Sequence, residues 1–357
     1  MTSIDMTRRG FVGLAAAALA GLGLAGCGST VGTTAADTGA SEATREVSNM
    51  TADEERAAWE KEEAYGKTIT VGYNGGICLG AFGVAKAKGF YEAEGLDCDI
   101  VSMTSASDGL GTGKVDVAGD HIATLLVPAT NGVKLTFTLG CNTGCKSLYA
   151  LSGSGVTKTA DLVDKTVGLP DGIGNSDQNI TMRFLNHDDV DVNAVKYKAV
   201  STDAVIQALQ SGEIAAATLS DQFAKKFLDD GTLVMVRSLT FDDDFKVEPC
   251  CILTFNSDFF DKNPVTAKKF TRAFKAASDW IEDNKPEAVQ LMFDNSWASG
   301  DFDTALELTK SFNFKIDEQM TSTALRDIIA DYQKFGIIGS DKDADTILSE
   351  VWAPVLG

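Results

Sequence analysis

The chain has 357 residues, of which 44% are hydrophobic and 23% are charged. This composition is typical of a folded globular protein and excludes a disordered or collagen-like chain. The length allows two domains, each with its own core. Lys and Arg number 31 against 51 Asp and Glu, which gives a formal net charge of −20. This charge argues against nucleic acid and against an anionic membrane surface as partners, because both bind clustered basic residues.

The N-terminus predicts an export signal. Arg8 and Arg9 precede an apolar run over residues 11–25, which is shorter than the ~20 residues of a membrane-spanning helix and typical of a signal peptide. The arginine pair resembles a Tat signal, and Leu24-Ala25-Gly26-Cys27 resembles a bacterial lipobox. We therefore predict that residues 1–26 are a lipoprotein signal peptide and that Cys27 is lipidated. The alternative is a plain secretory peptide with an incidental cysteine.

Residues 27–66 are predicted to be a flexible tether. Small and polar residues continue to about Ser48 and cannot bury a core. Thr51, followed three residues later by Glu54, is a capping-box pattern that begins a charged helix over residues 51–64. We expect this helix to lie solvated on the surface.

From Thr68 onward, short β-rich runs alternate with amphipathic helices in two successive sets. Such alternation predicts an α/β protein with βαβ units on parallel or mixed sheets. In each set a Gly-rich loop follows the first strand, at residues 73–80 and 170–176. The two sets therefore predict two doubly wound lobes. The predicted strands are residues 68–73, 97–103, 115–119 and 134–139, then 166–169, 195–198, 215–219 and 233–237; the predicted helices are 81–88 and 122–131, then 177–186, 201–211 and 221–228.

After a predicted strand at residues 250–256 the pattern becomes helical. Helices are predicted over residues 263–284, 302–312, 317–335 and 343–352, with another that begins near Pro286. In the first of these, apolar residues recur at helical spacing, which predicts a buried face. They are Phe270, Ala273, Phe274, Ala277, Trp280 and Ile281.

Four segments together resemble solute-binding proteins of ABC importers, in the group that binds nitrate, sulfonates, taurine and thiamine-precursor pyrimidines. They are residues 83–96, 113–120, 160–168 and 208–217. The resemblance covers roughly residues 68–295. It implies a two-lobed periplasmic-binding-protein-like fold, with lobe 1 formed by residues 67–149 and 251–357 and lobe 2 by residues 150–250. The lobes would be joined by crossing segments at residues 148–152 and 250–254, and the protein would act as a monomer.

The resemblance also implies that the ligand is held by loops after the strands, where helix N-termini point into the cleft. No arginine lies in these loops, and Lys146 and His121 are their basic candidates. The expected ligand is therefore a small organic solute, with sulfonate, taurine-like and pyrimidine-like compounds all left open. The implied binding residues are Asn74, Gly75, Gly76, Ile77, Cys78, Ser105, Asp120, His121, Asn142, Thr143, Gly172, Gly174, Asn175, Ser176, Asp221 and Gln222. For each of them a capping or turn role is the alternative.

Six cysteines remain if Cys27 is lipidated, and several lie near the predicted cleft. Cys78, Cys141 and Cys145 fall in cleft loops, and Cys250-Cys251 falls on the return crossing. They allow a soft-metal site, a disulfide that braces a loop, or buried thiols. No second His lies at ligand spacing from His121, so the sequence predicts no metal and no cofactor.

These features predict a non-enzymatic, lipid-anchored receptor outside the cytoplasmic membrane or in the periplasm, which delivers a small solute to an ABC permease. One alternative is an enzyme similar to thiamine-pyrimidine synthases, which use the same fold with a cysteine-rich motif and an active-site histidine. Another is a sensor lipoprotein without a transport role.

Overall fold

The computed structural model describes residues 47–357. The predicted signal peptide, Cys27 and the first part of the predicted tether lie outside the described residues. Within residues 47–357, no helix combines the length and the apolar character needed to cross a membrane.

The strands of the described chain form two five-stranded sheets. The first sheet has the order β2-β1-β3-β10-β4, and the second has the order β7-β6-β8-β5-β9. The strands are β1 (Thr68–Gly72), β2 (Asp97–Val101), β3 (Val117–His121), β4 (Leu135–Thr143), β5 (Lys146–Leu151), β6 (Thr166–Leu169), β7 (Lys196–Ala199), β8 (Ala216–Ser220), β9 (Leu233–Ser238) and β10 (Pro249–Asn256).

Each sheet contains one strand that runs against the others. In the first sheet β1 pairs in parallel with β2 and β3, and β10 pairs antiparallel with β3 and β4. In the second sheet β6 pairs in parallel with β7 and β8, and β5 pairs antiparallel with β8 and β9. The first residues of β10 and β5 therefore lie at the edge where the neighbouring strands end, and open α/β sheets bind their ligands at that edge.

The chain changes sheet earlier than the sequence predicted. It leaves the first sheet after Thr143 and enters the second at Lys146, and it returns between Ser238 and Pro249. The predicted crossings at residues 148–152 and 250–254 fall largely inside β5 and β10. Only Gly144 and Cys145, with φ values of 76° and 101°, interrupt the extended chain between β4 and β5, and so short a break is not visible as a turn signal.

The helices cover the faces of both sheets. The longer ones agree with the sequence prediction to within a few residues, whereas α3, α4 and α9 span four to six residues, too few to show helical periodicity. The helices are α1 (Ala52–Trp59), α2 (Ala81–Ala87), α3 (Phe90–Ala93), α4 (Ala106–Gly111), α5 (Ile122–Thr130), α6 (Ser176–His187), α7 (Val205–Gln210), α8 (Asp221–Asp229), α9 (Ser257–Lys262), α10 (Pro264–Asp283), α11 (Lys285–Asp294), α12 (Phe302–Ser311), α13 (Glu318–Lys334) and α14 (Ala344–Val351).

The predicted apolar face of α10 is a core face. Phe270 and Phe274 are fully buried, and the Phe274 ring centroid lies 4.7 Å from that of Phe82 on α2. Phe82 in turn packs on β3 at Gly119, where an added Cβ would lie 2.7 Å from the ring. Because Gly119 has no side chain, α2 can approach the sheet closely. Phe274 on α10, Phe82 on α2 and Gly119 on β3 therefore set the spacing of this core.

The C-terminal helices pack against the first sheet. Leu325 and Ile329 of α13 and Trp352 after α14 share a buried cluster with Phe137 of β4. The backbone amide of Ala353 also donates to the Phe137 carbonyl at 2.8 Å. This packing attaches the end of the chain to the same sheet as its first strand.

The predicted charged helix lies on the surface with no buried residue, but it is shorter than expected and makes polar contacts with α10. The capping box of Thr51 and Glu54 is present, but α1 ends at Trp59. The Trp59 indole donates to Thr266 Oγ1 at 3.1 Å, and Arg272 donates to Glu55 at 2.8 Å. The hydrogen bond from Arg272 lowers the pKa of Glu55 to about 2. The helix is therefore attached to α10 by partly buried polar contacts that the sequence pattern did not reveal.

Candidate functional site

One histidine and three cysteines meet at the carboxyl edge of the first sheet. His121 ends β3, Cys145 lies between β4 and β5, and Cys250 and Cys251 lie near the start of β10. Because β10 is antiparallel to its neighbours, Cys251 stands opposite His121 on one side and Asn142 on the other. Strand pairing therefore brings together residues that are far apart in sequence.

The donor atoms of these four residues are close enough to share one ligand. The three sulfurs and one imidazole nitrogen all lie within 4.8 Å of one another. Nε2 of His121 is 3.2 Å from Sγ of Cys145, which is 3.3 Å from Sγ of Cys250. We call His121, Cys145, Cys250 and Cys251 the thiol–imidazole cluster.

Asp120 orients the histidine of the cluster. Its Oδ1 lies 3.1 Å from Nδ1 of His121 and also accepts a hydrogen bond from the His121 backbone amide at 2.7 Å. The carboxylate therefore favours a proton on Nδ1 and directs Nε2 at Cys145, where Nε2 donates when the ring is an imidazolium and can bind a metal once it is deprotonated.

The cluster changes the acidity of its members. Burial lowers the pKa of His121, but the Cys145 sulfur and the Asp120 carboxylate outweigh it, so the pKa lies well above its ordinary value. The hydrogen bond from Cys145 lowers the pKa of Cys250 to about 6. The Cys145 sulfur therefore favours the charged form of His121 and the thiolate form of Cys250.

A fourth sulfur, that of Cys78, lies beside the cluster. Cys78 interacts with the sulfurs of Cys145 and Cys251, and the hydrogen bond with Cys145 raises its pKa to about 12. The six cysteines of the described chain are all free thiols. Thiolate and imidazole are ligands of zinc and other soft metals, so the cluster has the donor types of a metal centre.

The corresponding edge of the second sheet holds a buried lysine. Lys146 begins β5, and its Nζ contacts Asp171 and Asp177 and donates to Ser176 Oγ at 3.1 Å. Burial lowers the pKa of Lys146, but the carboxylates of Asp177 and Asp171 outweigh it and the pKa is raised. The ammonium is neutralised within the protein and offers no free charge to a ligand.

The two lobes are in contact across the cleft. Arg183 of α6 donates to Glu248 at 2.7 Å and to Asp331 of α13 at 2.8 Å. Asn179, one turn earlier on α6, donates to the Ala123 carbonyl at 2.9 Å. The contacts leave a cavity of about 30 Å³, lined among others by Arg183, Cys250 and Tyr332. The cleft is closed, and the cavity reaches the thiol–imidazole cluster at Cys250.

Comparison with known proteins identifies the family. The model of the family described as NMT1/THI5 like matches residues 80–288, more than half of the chain. The chain belongs to the NMT1/THI5-like family.

Curated and solved relatives of this NMT1/THI5-like chain are distant. A 4-amino-5-hydroxymethyl-2-methylpyrimidine phosphate synthase of Saccharomyces cerevisiae, THI11, is 24% identical over 56% of this chain and 62% of its own length. The chain thus spans about three fifths of the length of such relatives.

Two solved structures show the fold. One is the alkanesulfonate-binding protein SsuA from Xanthomonas axonopodis pv. citri bound to MOPS, which is 12% identical with a TM-score of 0.63 over 80% of this chain and 98% of that one. The other is the ligand-binding component of an ABC-type import system from Staphylococcus aureus with zinc bound, 13% identical with a TM-score of 0.64 over 81% and 97% of the two chains. The NMT1/THI5-like chain has the two-lobed periplasmic-binding-protein fold.

The loop after β1, which contains several predicted site residues, is already in contact with another part of the protein. The amide of Gly76 donates to the Trp297 carbonyl at 2.8 Å, and an added Cβ on Gly75 would lie 2.6 Å from the same oxygen. Asn74 is exposed and Ile77 is buried. The loop amide at Gly76 is therefore already used within the first lobe.

Two further predicted residues of the first lobe make internal hydrogen bonds. Ser105 is the N-cap of α4 and accepts from the Asp108 amide at 3.2 Å. The hydroxyl of Thr143 accepts from the Asn313 amide at 3.0 Å. Asn142 differs, because its buried Oδ1 has no hydrogen-bond partner in the described chain.

The Gly-rich loop of the second lobe leads into α6. Asn175 is the N-cap, and its Oδ1 accepts from the Ser176 amide at 2.8 Å. The Gly174 amide donates to Gln178 at 2.7 Å, and Gly172 takes a positive φ of 92°. These residues form the helix start and the turn before it, and Ser176 also supports Lys146.

Asp221 and Gln222 lie at the start of α8. Asp221 is buried and accepts from the hydroxyls of Tyr149 at 2.7 Å and Thr240 at 2.5 Å. Gln222 donates to the Ser299 carbonyl at 3.3 Å. Asp221 is therefore used within the second lobe, and Gln222 contacts the segment before α12 of the first lobe.

Sequence reasoning placed His121, Asp120 and several cysteines near the cleft and left a soft-metal site open, but it did not join His121 to Cys145, Cys250 and Cys251 in one ligand set. The available signal was the pair of adjacent cysteines at the start of a strand predicted to run back into the first sheet. Local ligand spacing could not reveal the cluster, because strand register sets the distances between its members.

Proposed function

We propose that this protein is the solute-binding component of an ABC importer, lipid-anchored through Cys27 at the outer face of the cytoplasmic membrane or in the periplasm. The observation that carries the proposal is the two-lobed fold, in which the ligand-binding edges of two sheets meet at one closed cleft. Its partners would be a small solute and a membrane permease.

The mechanism we propose is closure of the lobes about the two crossings. The outbound crossing consists of Gly144 and Cys145, and the return crossing lies between Ser238 and Pro249. Rotation about two short segments moves each lobe as a rigid body and leaves both cores intact. The contacts of Arg183 with Glu248 and Asp331 would form on closure and separate on opening.

The cleft is poorly suited to an anionic solute. Lys146 and Arg183 are each paired with two carboxylates, so binding a sulfonate at either would require one of these ion pairs to separate. Sulfonate recognition, which the Xanthomonas protein performs, is therefore disfavoured for this chain.

The proposal predicts ligand-dependent closure without chemical change. The full chain is mixed with taurine, alkanesulfonates, nitrate, thiamine-precursor pyrimidines and metal ions in turn. A solute at 100 times its dissociation constant is expected to stabilise the protein by about 2.7 kcal/mol and to reduce the radius of gyration in X-ray scattering. The bound solute, extracted and weighed by mass spectrometry, is expected to be unaltered.

Two results would contradict this prediction. A solute that stabilises the protein but leaves the radius of gyration unchanged would exclude hinge closure. Conversion of a bound compound to a pyrimidine phosphate would support the second candidate, a synthase, which is favoured by the similarity to the Saccharomyces cerevisiae enzyme.

The anchor has a separate test. We expect the native protein to remain with membranes and to begin at a diacylglyceryl-modified Cys27, because the buried acyl chains hold it there. We expect the Cys27→Ser variant either to be exported and released from the membrane or to keep its signal peptide uncleaved. An unmodified Cys27 in the N-terminal peptide of the membrane-associated protein would refute the anchor.

A further inference from the structure

We propose that the thiol–imidazole cluster binds one thiophilic metal ion, Zn²⁺ or Cu⁺, and that this ion is the solute around which the lobes close. The part of the inference that makes the ion a solute rests on the proposed function. Metal binding itself rests on the four side chains alone.

The donor set supports a single metal ion. Three thiols and one imidazole complete a four-coordinate sphere of the Cys₃His type, and thiolates select zinc and cuprous ions over hard cations. Bond lengths of about 2.3 Å to sulfur and about 2.0 Å to nitrogen place tetrahedral donors roughly 3.5–3.8 Å apart. Two of the observed separations are 3.2 Å and 3.3 Å and the others are at most 4.8 Å, so side-chain adjustments of about 1 Å or less would reach these distances. The thiols would release their protons to solvent as the metal binds.

The surroundings of the histidine are those of a metal ligand. Asp120 contacts Nδ1 of His121, so Nε2 is directed to the three sulfurs. A carboxylate behind a metal-binding imidazole holds the ring in place and raises its basicity. His121 has 18% of its side chain exposed, whereas Cys251 is fully buried, so an ion would approach from the histidine side.

The cluster also lies where binding can affect the hinge. Cys145 forms the outbound crossing, and Cys250 and Cys251 follow directly on the return crossing. Cys145 has a φ of 101°, a left-handed conformation that is strained for a residue with a side chain and is often found at functional sites. One ion held by these three cysteines and His121 would fix the two crossings relative to each other and to β3.

The size of the cavity beside Cys250 favours an ion at that point. A cavity of about 30 Å³ has room for roughly one or two water molecules, whereas pockets for small organic ligands usually measure about 300–1,000 Å³. The cavity is lined by Cys250 and by Ile122, the residue after His121. The cavity at Cys250 therefore has room for a metal ion but not for an organic solute.

The test is metal titration of the full chain under reducing, anaerobic conditions. After chelation, the protein is titrated with Zn²⁺ and separately with Cu⁺ against a competing chelator, and bound metal is counted by mass spectrometry. We expect one ion per chain for at least one of the two metals. With Co²⁺ as a probe we expect thiolate-to-cobalt charge-transfer absorption, which reports sulfur ligation in the unaltered protein.

Variants then locate the site. Cys145→Ser and Cys251→Ser are each expected to lower the affinity at least 100-fold, and Asp120→Asn about 10–100-fold, because it only positions His121. Cys98→Ser is the matched control, since Cys98 is a buried thiol of β2 outside the cluster. Its metal affinity is expected to be unchanged.

Several outcomes would overturn the inference. They are the absence of stoichiometric metal in the unaltered chain, a cobalt spectrum without sulfur ligation, equal loss of affinity in the Cys98→Ser control, and a Cys145–Cys250 disulfide in native protein without metal. If the lobes closed on an organic solute with no metal bound, the metal inference would be refuted and the proposed function would stand. If metal bound at the cluster but neither a solute nor an ion closed the lobes, the proposed function would be refuted, and the ion would be a permanently bound metal rather than a transported solute.

Discussion

Replacing Arg183 with Met is expected to destabilise the protein by about 3–5 kcal/mol, because it removes one partner from a buried charge cluster. The Arg183 side chain is 5% exposed, and its partners Glu248 and Asp331 are each 15% exposed. The substitution would leave two partly buried carboxylates at the lobe contact without their shared cation. The free energy of unfolding from urea denaturation would measure the loss.

The matched control for this prediction is Arg326→Met. Arg326 pairs with Asp345, but the two side chains are 36% and 73% exposed, and exposed pairs contribute only about 0–1 kcal/mol. The Arg183 variant is also expected to have a larger radius of gyration than the control, because the lobes lose their strongest cross-cleft contact. Equal stabilities for the two variants would show that the Arg183 cluster does not hold the lobes together.

Replacing Phe82 with Ala is expected to destabilise the protein by about 3–5 kcal/mol, as found for large-to-small changes in closed cores. Phe82 is fully buried between α10 and β3, in contact with Phe274 and with the flat surface at Gly119. Backbone on one side and a long helix on the other prevent the cavity from collapsing. Calorimetric or urea unfolding would measure the effect.

Phe241→Ala is the control for the core prediction. Phe241 is 50% exposed, and we expect its truncation to change the free energy of unfolding by no more than about 0.5 kcal/mol. If Phe82→Ala lowered the free energy of unfolding as little as Phe241→Ala does, the contact between α2 and α10 would be able to repack. That result would contradict the tight approach at Gly119.

The amino-acid sequence was sufficient to predict the class of fold. Hydrophobic periodicity predicted most strands and the long helices, because a strand or helix with one buried face must repeat its apolar residues with a fixed period. The capping box of Thr51 and Glu54 and the core stripe of α10 were predicted for the same local reason, and both are present. The two successive strand–helix sets predicted two lobes, and the family resemblance added that two crossing segments join them.

Tertiary structure decided what the cleft contains. Lys146 looked like a free basic residue, but β5 inserts it between Asp171 and Asp177, which neutralise it. Asp221 looked available to a ligand, but Tyr149 and Thr240 already donate to it. Such partners come from other strands and helices, so they depend on packing that no local pattern encodes.

The thiol–imidazole cluster was likewise determined partly by the sequence and partly by the tertiary structure. The sequence by itself determined that cysteines and a histidine follow the strands of an α/β lobe, where ligands bind. Only the antiparallel insertion of β10 between β3 and β4 placed Cys251 opposite His121 and put Cys250 within 3.3 Å of Cys145. The chemistry of each residue is local, whereas the distances that combine them depend on strand order and register, which are set by long-range pairing.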